Sequence, residues 1–415
     1  MILSLPLEKI RKLLLLCRQI LSGTKVTLRI LAQLLGLLES YRPAVWLSSP
    51  TLSSFTSSLN PKSQEHNYET EVNFWVKPIE ELNWWVRNIV KVNGSPKITP
   101  KPDLTIFTDA SKKGWGAVCN NLQTNGRWSA AEKLLHINVL ELKGAFLAIQ
   151  SLLKNQHHKT VSLNMDNSTA VAYVNHKGGT HSSELVDLTL QLWDWCIQND
   201  LYIIAHRVPG KLNTLADQES REFRDETDWM IDPKIIRPFL TNCVTDLFAT
   251  RLTRQLTTCI SWRPDPHALH SDAFSLNWKN LAGYAFPPFN LIPLVLNKVV
   301  SDKEEIILVA PIWQAQRWWS LLLSLLVQQP VLLPNKEHLL INPVDPHLVH
   351  PMHPRLHLGV FHISSNVTRQ KAFLHKLPVY SSQPLVAPHA KHMNQAGGAG
   401  AAGVLQGKLI LFQHL

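Results

Sequence analysis

Four acidic residues in the middle of this 415-residue chain carry its most readable chemistry. They are Asp109 in Thr-Asp-Ala-Ser, Glu141 in Val-Leu-Glu-Leu-Lys-Gly, Asp166 in Leu-Asn-Met-Asp-Asn and Asp217 in Asn-Thr-Leu-Ala-Asp. Each stands at the end of an apolar strand pattern or on the apolar face of a helix, where an unpaired carboxylate is expensive. A divalent cation between such groups offsets that cost. Carboxylate oxygens are hard ligands, so the set suits Mg²⁺ or Mn²⁺ rather than zinc. Two such ions about 4 Å apart activate water and stabilise a leaving 3′ oxygen in an in-line displacement at phosphorus, without a serine or histidine nucleophile. The residue types thus predict a two-metal nuclease. His206, upstream of Asp217 and just before Pro209-Gly210, is a candidate proton carrier or product-release residue.

Bringing these groups together needs a mixed α/β order over residues 103–224. Short apolar runs predict an antiparallel meander of strands at 104–108, 114–119 and 126–130, then a helix at 137–153. A fourth strand at 160–165, helices at 168–175 and 182–198, a fifth strand at 201–208 and a closing helix at 213–221 follow. If the first and fourth strands are neighbours, Asp109 and Asp166 face each other across one strand spacing, roughly 5 Å. Glu141 enters from the first turns of its helix and Asp217 from the last helix. Their mutual repulsion raises one or more of the pKa values.

The hydrophobic fraction of 45% and charged fraction of 17% are those of a globular chain, long enough for about two or three domains. The formal net charge of +10, with a pI near 9.3, favours a polyanionic partner. Cys17, Cys119, Cys196, Cys243 and Cys259 form no Cys-x-x-Cys pair. That argues against a disulfide framework or zinc ribbon and fits a reducing, intracellular compartment. The apolar run 13–16 follows Glu8, Lys9, Arg11 and Lys12 and reads as an amphipathic helix, not a signal peptide. Residues 318–327 are only about half a membrane span, so no membrane partner is expected.

Residues 1–46 read as helical, with Leu28, Leu31, Leu34, Leu35 and Leu38 at helical spacing. Residues 48–63 read as a linker, and 69–92 as a helix bearing Trp84 and Trp85. Beyond Trp229, strands at 245–250 and 305–310 and a helix at 313–327 predict a degenerate α/β region. The Pro- and His-rich residues beyond 330, with Gly-Gly-Ala-Gly-Ala-Ala-Gly at 397–403, predict a flexible tail. The expected divisions are therefore 1–95, 103–224, 225–334 and 335–415. His347, His350, His353 and His357 suggest metal binding only weakly, given the interleaved prolines and Asp345 as the sole nearby acid.

Motifs sharpen this reading. Phe107-Thr108-Asp109-Ala110-Ser111, Gly114-Trp115-Gly116-Ala117, Trp128-Ser129, His136-Ile137-Asn138-Val139-Leu140-Glu141-Leu142 and Asp166-Asn167-Ser168-Thr169-Ala170 occur in that order. His206-Arg207-Val208-Pro209-Gly210-x-x-Asn213-x-x-Ala216-Asp217-x-x-Ser220-Arg221 completes them. Together they resemble the RNase H domain of DIRS- and Ngaro-type (tyrosine recombinase) retrotransposons, over residues 103–224. The resemblance implies an RNase H-like mixed five-stranded sheet with helices. It also implies endonucleolytic cleavage of the RNA strand of an RNA–DNA hybrid with Mg²⁺ or Mn²⁺, held by Asp109, Glu141, Asp166 and Asp217. The alternative is a catalytically inactive nucleic-acid-binding remnant. Ser111, Lys112, Lys113 and Lys177 are the expected contacts to the hybrid's phosphates.

The flanks agree with the resemblance. Leu31-Ala32-x-x-Leu35-Gly36 and Glu81-Leu82-x-Trp84-Trp85 look like the reverse transcriptase connection or thumb of these elements, but no Tyr-x-Asp-Asp occurs, so DNA synthesis is not expected. Asp246-Leu247-Phe248-Ala249-Thr250-Arg251 and Tyr284-Ala285-Phe286-Pro287-Pro288-Phe289 also resemble these polyproteins and are faintly similar to adenine-type DNA methyltransferases. Phe286 stands where that motif has Asn, and no Gly-rich loop follows Asp246, so a remnant is expected rather than methyl transfer. The chain reads as a fragment of a longer polyprotein.

Overall fold

The apolar runs at 104–127 and 159–207 build a single sheet in a computed structural model of the protein, which describes residues 2–23, 26–41, 43–45, 69, 71, 76–96, 100–178, 182–223, 229–379 and 400–415. The chain divides into two units: Met1–Gly126 with Leu135–Glu222, and Arg127–Leu134 with Phe223–Leu415.

In unit 1, strands β1 (Leu104–Ala110), β2 (Gly114–Cys119) and β3 (Leu122–Arg127) run antiparallel, and β4 (Lys159–Met165) and β5 (Leu201–Arg207) are parallel to β1. The order β3-β2-β1-β4-β5 is the mixed five-stranded sheet expected, with helices around it. Strand β3 begins four residues before the predicted 126, because Asn120 takes a left-handed φ of 52° and closes a tight turn directly after β2. Residues 128–130 accordingly lie outside the sheet.

Helices α1 (Leu7–Leu21), α2 (Leu28–Tyr41) and α3 (Val76–Asn88) belong to the same unit. Their Leu13, Leu31, Leu34, Leu38 and Trp85 share one apolar core with Ile106, Val161 and Leu163 of the sheet. The linker expected at 48–63 lies outside the described residues. Helix α4 (Ile137–Leu152) is apolar nearly all round, with Leu140, Leu142, Ala145, Phe146 and Ile149 buried. A helix of that kind is a core helix. Each fully buried large side chain contributes about 1.5–3 kcal/mol. Helices α5 (Ser168–His176), α6 (Ser183–Gln198) and α7 (Thr214–Arg221) complete the unit. Asn167 caps α5 by accepting the Ala170 N–H at 2.9 Å, and Ser182 caps α6 through Leu185 N–H at 3.3 Å.

Unit 2 holds a second sheet. Strands β6 (Thr245–Asp246), β7 (Thr258–Ser261), β8 (Ala268–Ser271), β9 (Gly283–Ala285) and β10 (Glu305–Pro311) are parallel. Strands β11 (Val331–Leu332), β12 (Leu358–Ser364) and β13 (Gln413–His414) extend it, giving the order β8-β7-β6-β9-β10-β12-β11-β13. Helix α8 (Ile292–Asp302) packs Val295, Leu296 and Val299 with Ile306, Leu308, Phe361 and Ile363, while Tyr284, Val309, Leu358 and Val360 join Ile231, Ile236 and Leu240 in a separate core.

Three expectations are corrected here. The strand at 245–250 is only Thr245–Asp246, and the helix at 313–327 shrinks to α9 (Trp319–Ser324). The flexible tail from 335 onward is replaced by sheet: β12 pairs with β10 along its whole length and is buried, and Ala401–Leu405 pairs with Lys408–Leu411. The apolar run 358–363 finds a central slot, which outweighs the Pro- and His-rich composition around it. Residues 380–399, including most of the glycine tract's start, lie outside the described residues. Among the described residues, no helix is long and apolar enough to cross a membrane.

Candidate metal centre

Parallel pairing of β1 with β4 runs in register from Leu104↔Val161 to Phe107↔Asn164, so Asp109 and Asp166 emerge side by side at the same sheet end. Helix α4 packs across β1 and β2, and Gly144 lets it approach: a Cβ there would sit 3.0 Å from Trp115 Cβ and 3.4 Å from Ala110 Cβ. Glu141, one turn earlier, is thereby delivered to the acids. One ligand oxygen from each of Asp109, Glu141 and Asp166 lies within 4.8 Å of the others. Asp109 is 5% exposed and Glu141 7%.

Electrostatics records the strain of this grouping. Burial, reinforced by Asp166 and Asp217 and opposed by the Ser220 hydroxyl, pushes Asp109 up to about 6. Burial, together with Asp109 and Asp166, pushes Glu141 up to about 9, although the Ala110 backbone N–H donates to it. Three oxygen donors that repel one another, two of them on buried side chains and the third half-buried, fit a hard divalent cation.

Asp217 reaches the neighbourhood from α7 but is not one of the three grouped acids. Its Oδ1 instead accepts Arg221 Nε at 2.7 Å and Nη2 at 2.6 Å, an i,i+4 pair that is well exposed and therefore weak. His206 is exposed at the end of β5, paired across the ladder with Asn164. Among the described residues it makes no hydrogen bond or ion pair with the acids. The turn that follows it does come close: a Cβ on Gly210 would stand 3.4 Å from Asp166 Oδ2. Of the expected phosphate contacts, Ser111 turns inward, its hydroxyl donating to Ser220 O at 2.7 Å and accepting Lys113 N–H and Gly114 N–H. Lys112 Nζ donates to Leu135 O at 2.7 Å, Lys113 is exposed, and Lys177 lies 5.9 Å above the Trp193 ring.

Sequence reasoning gave no role to the residues that hold the acids. Ser220, wholly buried, donates its hydroxyl to Asp109 Oδ2 at 2.7 Å. It can do so because α7 lies directly on Gly116, where a Cβ would be 2.5 Å from Ser220 N. Asn213 Nδ2 donates to Thr108 O at 3.0 Å, and Asn125 Nδ2 to Glu219 Oε2 at 2.7 Å, which fix both ends of the same helix. Asn167 Nδ2, next to Asp166, donates to Asn138 Oδ1 at 3.0 Å in the first turn of α4. The helical spacing of Asn213, Asp217 and Ser220 was the available signal.

No protein-family model matches the sequence, and no curated protein matches it. Among solved structures, an N-terminal RNase H domain from Mycobacterium tuberculosis, solved as a maltose-binding protein fusion, is similar at 19% identity over 29% of this chain and 91% of that one, with a TM-score of 0.25. An RNase H1 from the halophilic archaeon Halobacterium salinarum matches at 14% identity over 28% of this chain and 91% of its own, with a TM-score of 0.22. A foamy viral protease-reverse transcriptase in complex with RNA/DNA hybrid matches at 13% identity over 49% of this chain but 27% of its own, with a TM-score of 0.20.

Proposed function

We propose that unit 1 is a divalent-metal-dependent RNase H of retroelement origin that cuts the RNA strand of an RNA–DNA hybrid. The observation that carries it is the grouping of Asp109, Glu141 and Asp166 within 4.8 Å on buried elements. Those three residues would hold Mg²⁺ or Mn²⁺, with Asp217 beside them. When bound, such ions supply an activated water and stabilise the leaving 3′ oxygen. The chain's own contribution is placement. Ser220 fixes one oxygen of Asp109, the Asn138–Asn167 bond ties the start of α4 to the end of β4, and the ladder keeps Asp166 abreast of Asp109. Lys113 and Lys177, with Lys112 once it leaves Leu135 O, supply charge for the hybrid's phosphates. The RNA strand would be recognised through its 2′-hydroxyls. His206 stands as a proton carrier only if the bound hybrid draws it toward Asp166.

The test is direct. The full chain, given an RNA–DNA hybrid labelled on each strand, should cut the RNA only, with Mg²⁺ or Mn²⁺ and not with EDTA. Asp109→Asn and Asp166→Asn should each abolish cutting. Undiminished cutting by both variants would overturn the proposal. Binding that survives EDTA with no cutting under either metal would favour an inactive nucleic-acid-binding remnant.

A further inference from the structure

Asp217 stands apart from the three grouped acids, and the cause lies on its own helix. Asp217, Ser220 and Arg221 follow one another on α7 at i, i+3 and i+4. Ser220 turns inward to Asp109, whereas Arg221 folds back along the helix onto Asp217. Its Nε and Nη2 both donate to one oxygen, Oδ1, at 2.7 and 2.6 Å. That oxygen is thereby taken from any cation beside it. The neighbouring i,i+4 contact on α7, Gln218 Nε2 to Glu222 Oε2 at 2.8 Å, involves no acid of the centre.

Helix α7 cannot shift to carry Asp217 closer. Its backbone lies on Gly116, the ladder partner of Asp109: a Cβ there would meet Ser220 N at 2.5 Å and Ala216 O at 2.6 Å. The bond from Asn213 to Thr108 O holds its first turn, and that from Asn125 to Glu219 its last. Asp217 therefore changes partner by turning its side chain, which is 41% exposed and has room to do so. Both members of the pair are within electrostatic reach of the grouped acids. Beyond the larger effect of burial, Asp217 pushes Asp109 and Glu141 up, and Arg221 pulls Asp109 down.

We propose that Arg221 is a positioning residue that supplies, at Asp217, the positive charge a second divalent ion would bring. Asp109, Glu141 and Asp166 then stand ready for one ion, while the fourth acid is already neutralised by the chain itself. A second ion gains Asp217 only by displacing the guanidinium. An exposed pair is worth at most about fivefold in an equilibrium, so the displacement is within reach of a cation with twice the charge. The inference rests on reading those acids as a metal centre, and it makes the two ions unequal: the first enters freely and the second competes with Arg221. An i,i+4 pair that served only to support the helix would leave both binding steps untouched or weaken them.

Mn²⁺ binding to the full chain, followed by titration calorimetry with bound ions counted by electron paramagnetic resonance, tests this separately from nuclease turnover. The wild-type chain should take one ion tightly and a second weakly. Arg221→Gln should tighten the second step by about 3–10-fold, through the broken pair and the lost positive charge. Arg221→Lys, which keeps the charge but not the double contact, should fall between. Arg221→Gln combined with Asp217→Asn should bind no more tightly than Asp217→Asn alone, because the gain acts through Asp217. A second step that is unchanged or weakened in Arg221→Gln overturns the inference. So does a gain that survives Asp217→Asn, or two equally tight ions on the wild-type chain. If Arg221→Gln does not fold, Arg221→Lys decides on the same readout. A wild-type chain that binds Mn²⁺ but cuts no hybrid would defeat the nuclease reading and leave the two binding steps to decide this one. A wild-type chain that binds no Mn²⁺ defeats both.

Discussion

The two sheets both bury an aspartate at the carboxyl end of a central parallel strand, and they do opposite things with it. In unit 2, Asp246 ends β6 at 2% exposure, and its carboxylate accepts Gln255 N–H at 2.9 Å and Phe248 N–H at 3.5 Å. Burial pushes it up to about 7 while those two N–H groups pull it down. It folds a loop. In unit 1, Asp109 ends β1 at 5% exposure with one hydroxyl donor, and two more carboxylates crowd it. Depth of burial alone therefore does not mark a metal site. What separates the two is whether backbone donors satisfy the carboxylate or other acids leave it in need of a cation.

That contrast can be broken by substitution, and the largest effect should fall on the grouped acids. Asp109→Asn and Asp166→Asn should lower hybrid cleavage by more than about 100-fold, beyond what loss of an outer partner costs. Assays on the full chain with both metals check this. Ser220→Ala leaves the ligand but frees its rotamer, and should lower Mn²⁺ affinity or cleavage about 10–100-fold. An unchanged affinity there would mean that the bond to Asp109 is incidental.

Asp246→Ala should act on stability instead. It strands the N–H groups of Phe248 and Gln255 in the interior, a loss of about 1–3 kcal/mol in denaturant unfolding. The smallest effect is a slope with pH. Asp109, Glu141 and Asp246 all have folded pKa values above their ordinary ones, at about 6, 9 and 7. Such groups favour the folded state most where they are still protonated, so the contribution of these three to metal-free stability is fullest below about pH 4 and declines as pH rises through 6, 7 and 9. Thermal melts across that range should show the decline. Mg²⁺ should flatten the part due to Asp109 and Glu141, and Asp246→Asn the part due to Asp246.

Much of unit 1 was legible because its signals are local. Apolar alternation located β1, β4 and β5 within a residue or two, and each acid stood at the end of a strand or on a helix whose type was clear. The displacement of β3 came from one left-handed asparagine, Asn120, which alternation does not register. Unit 2 was read poorly for a different reason. Most of its parallel strands are only two to four residues long, too short for a period, and their order is set by pairing between distant segments. The run at 358–363 was masked by prolines and histidines that lie in the loops around it. The Arg251–Glu132 pair spans 119 positions, and nothing in Ser129-Ala130-Ala131-Glu132 beyond a capping box announces a partner. Ser220 was in view inside a motif, yet only the packing of α7 on Gly116 shows that its hydroxyl reaches Asp109.

The most direct measurement is a Mn²⁺ titration of the full chain beside Asp109→Asn and Asp246→Asn. The grouping of Asp109, Glu141 and Asp166 predicts that the wild-type and Asp246→Asn chains bind Mn²⁺ alike and that Asp109→Asn binds it far more weakly. Equal binding by Asp109→Asn, or no binding by the wild-type chain, would contradict the metal centre and the nuclease built on it.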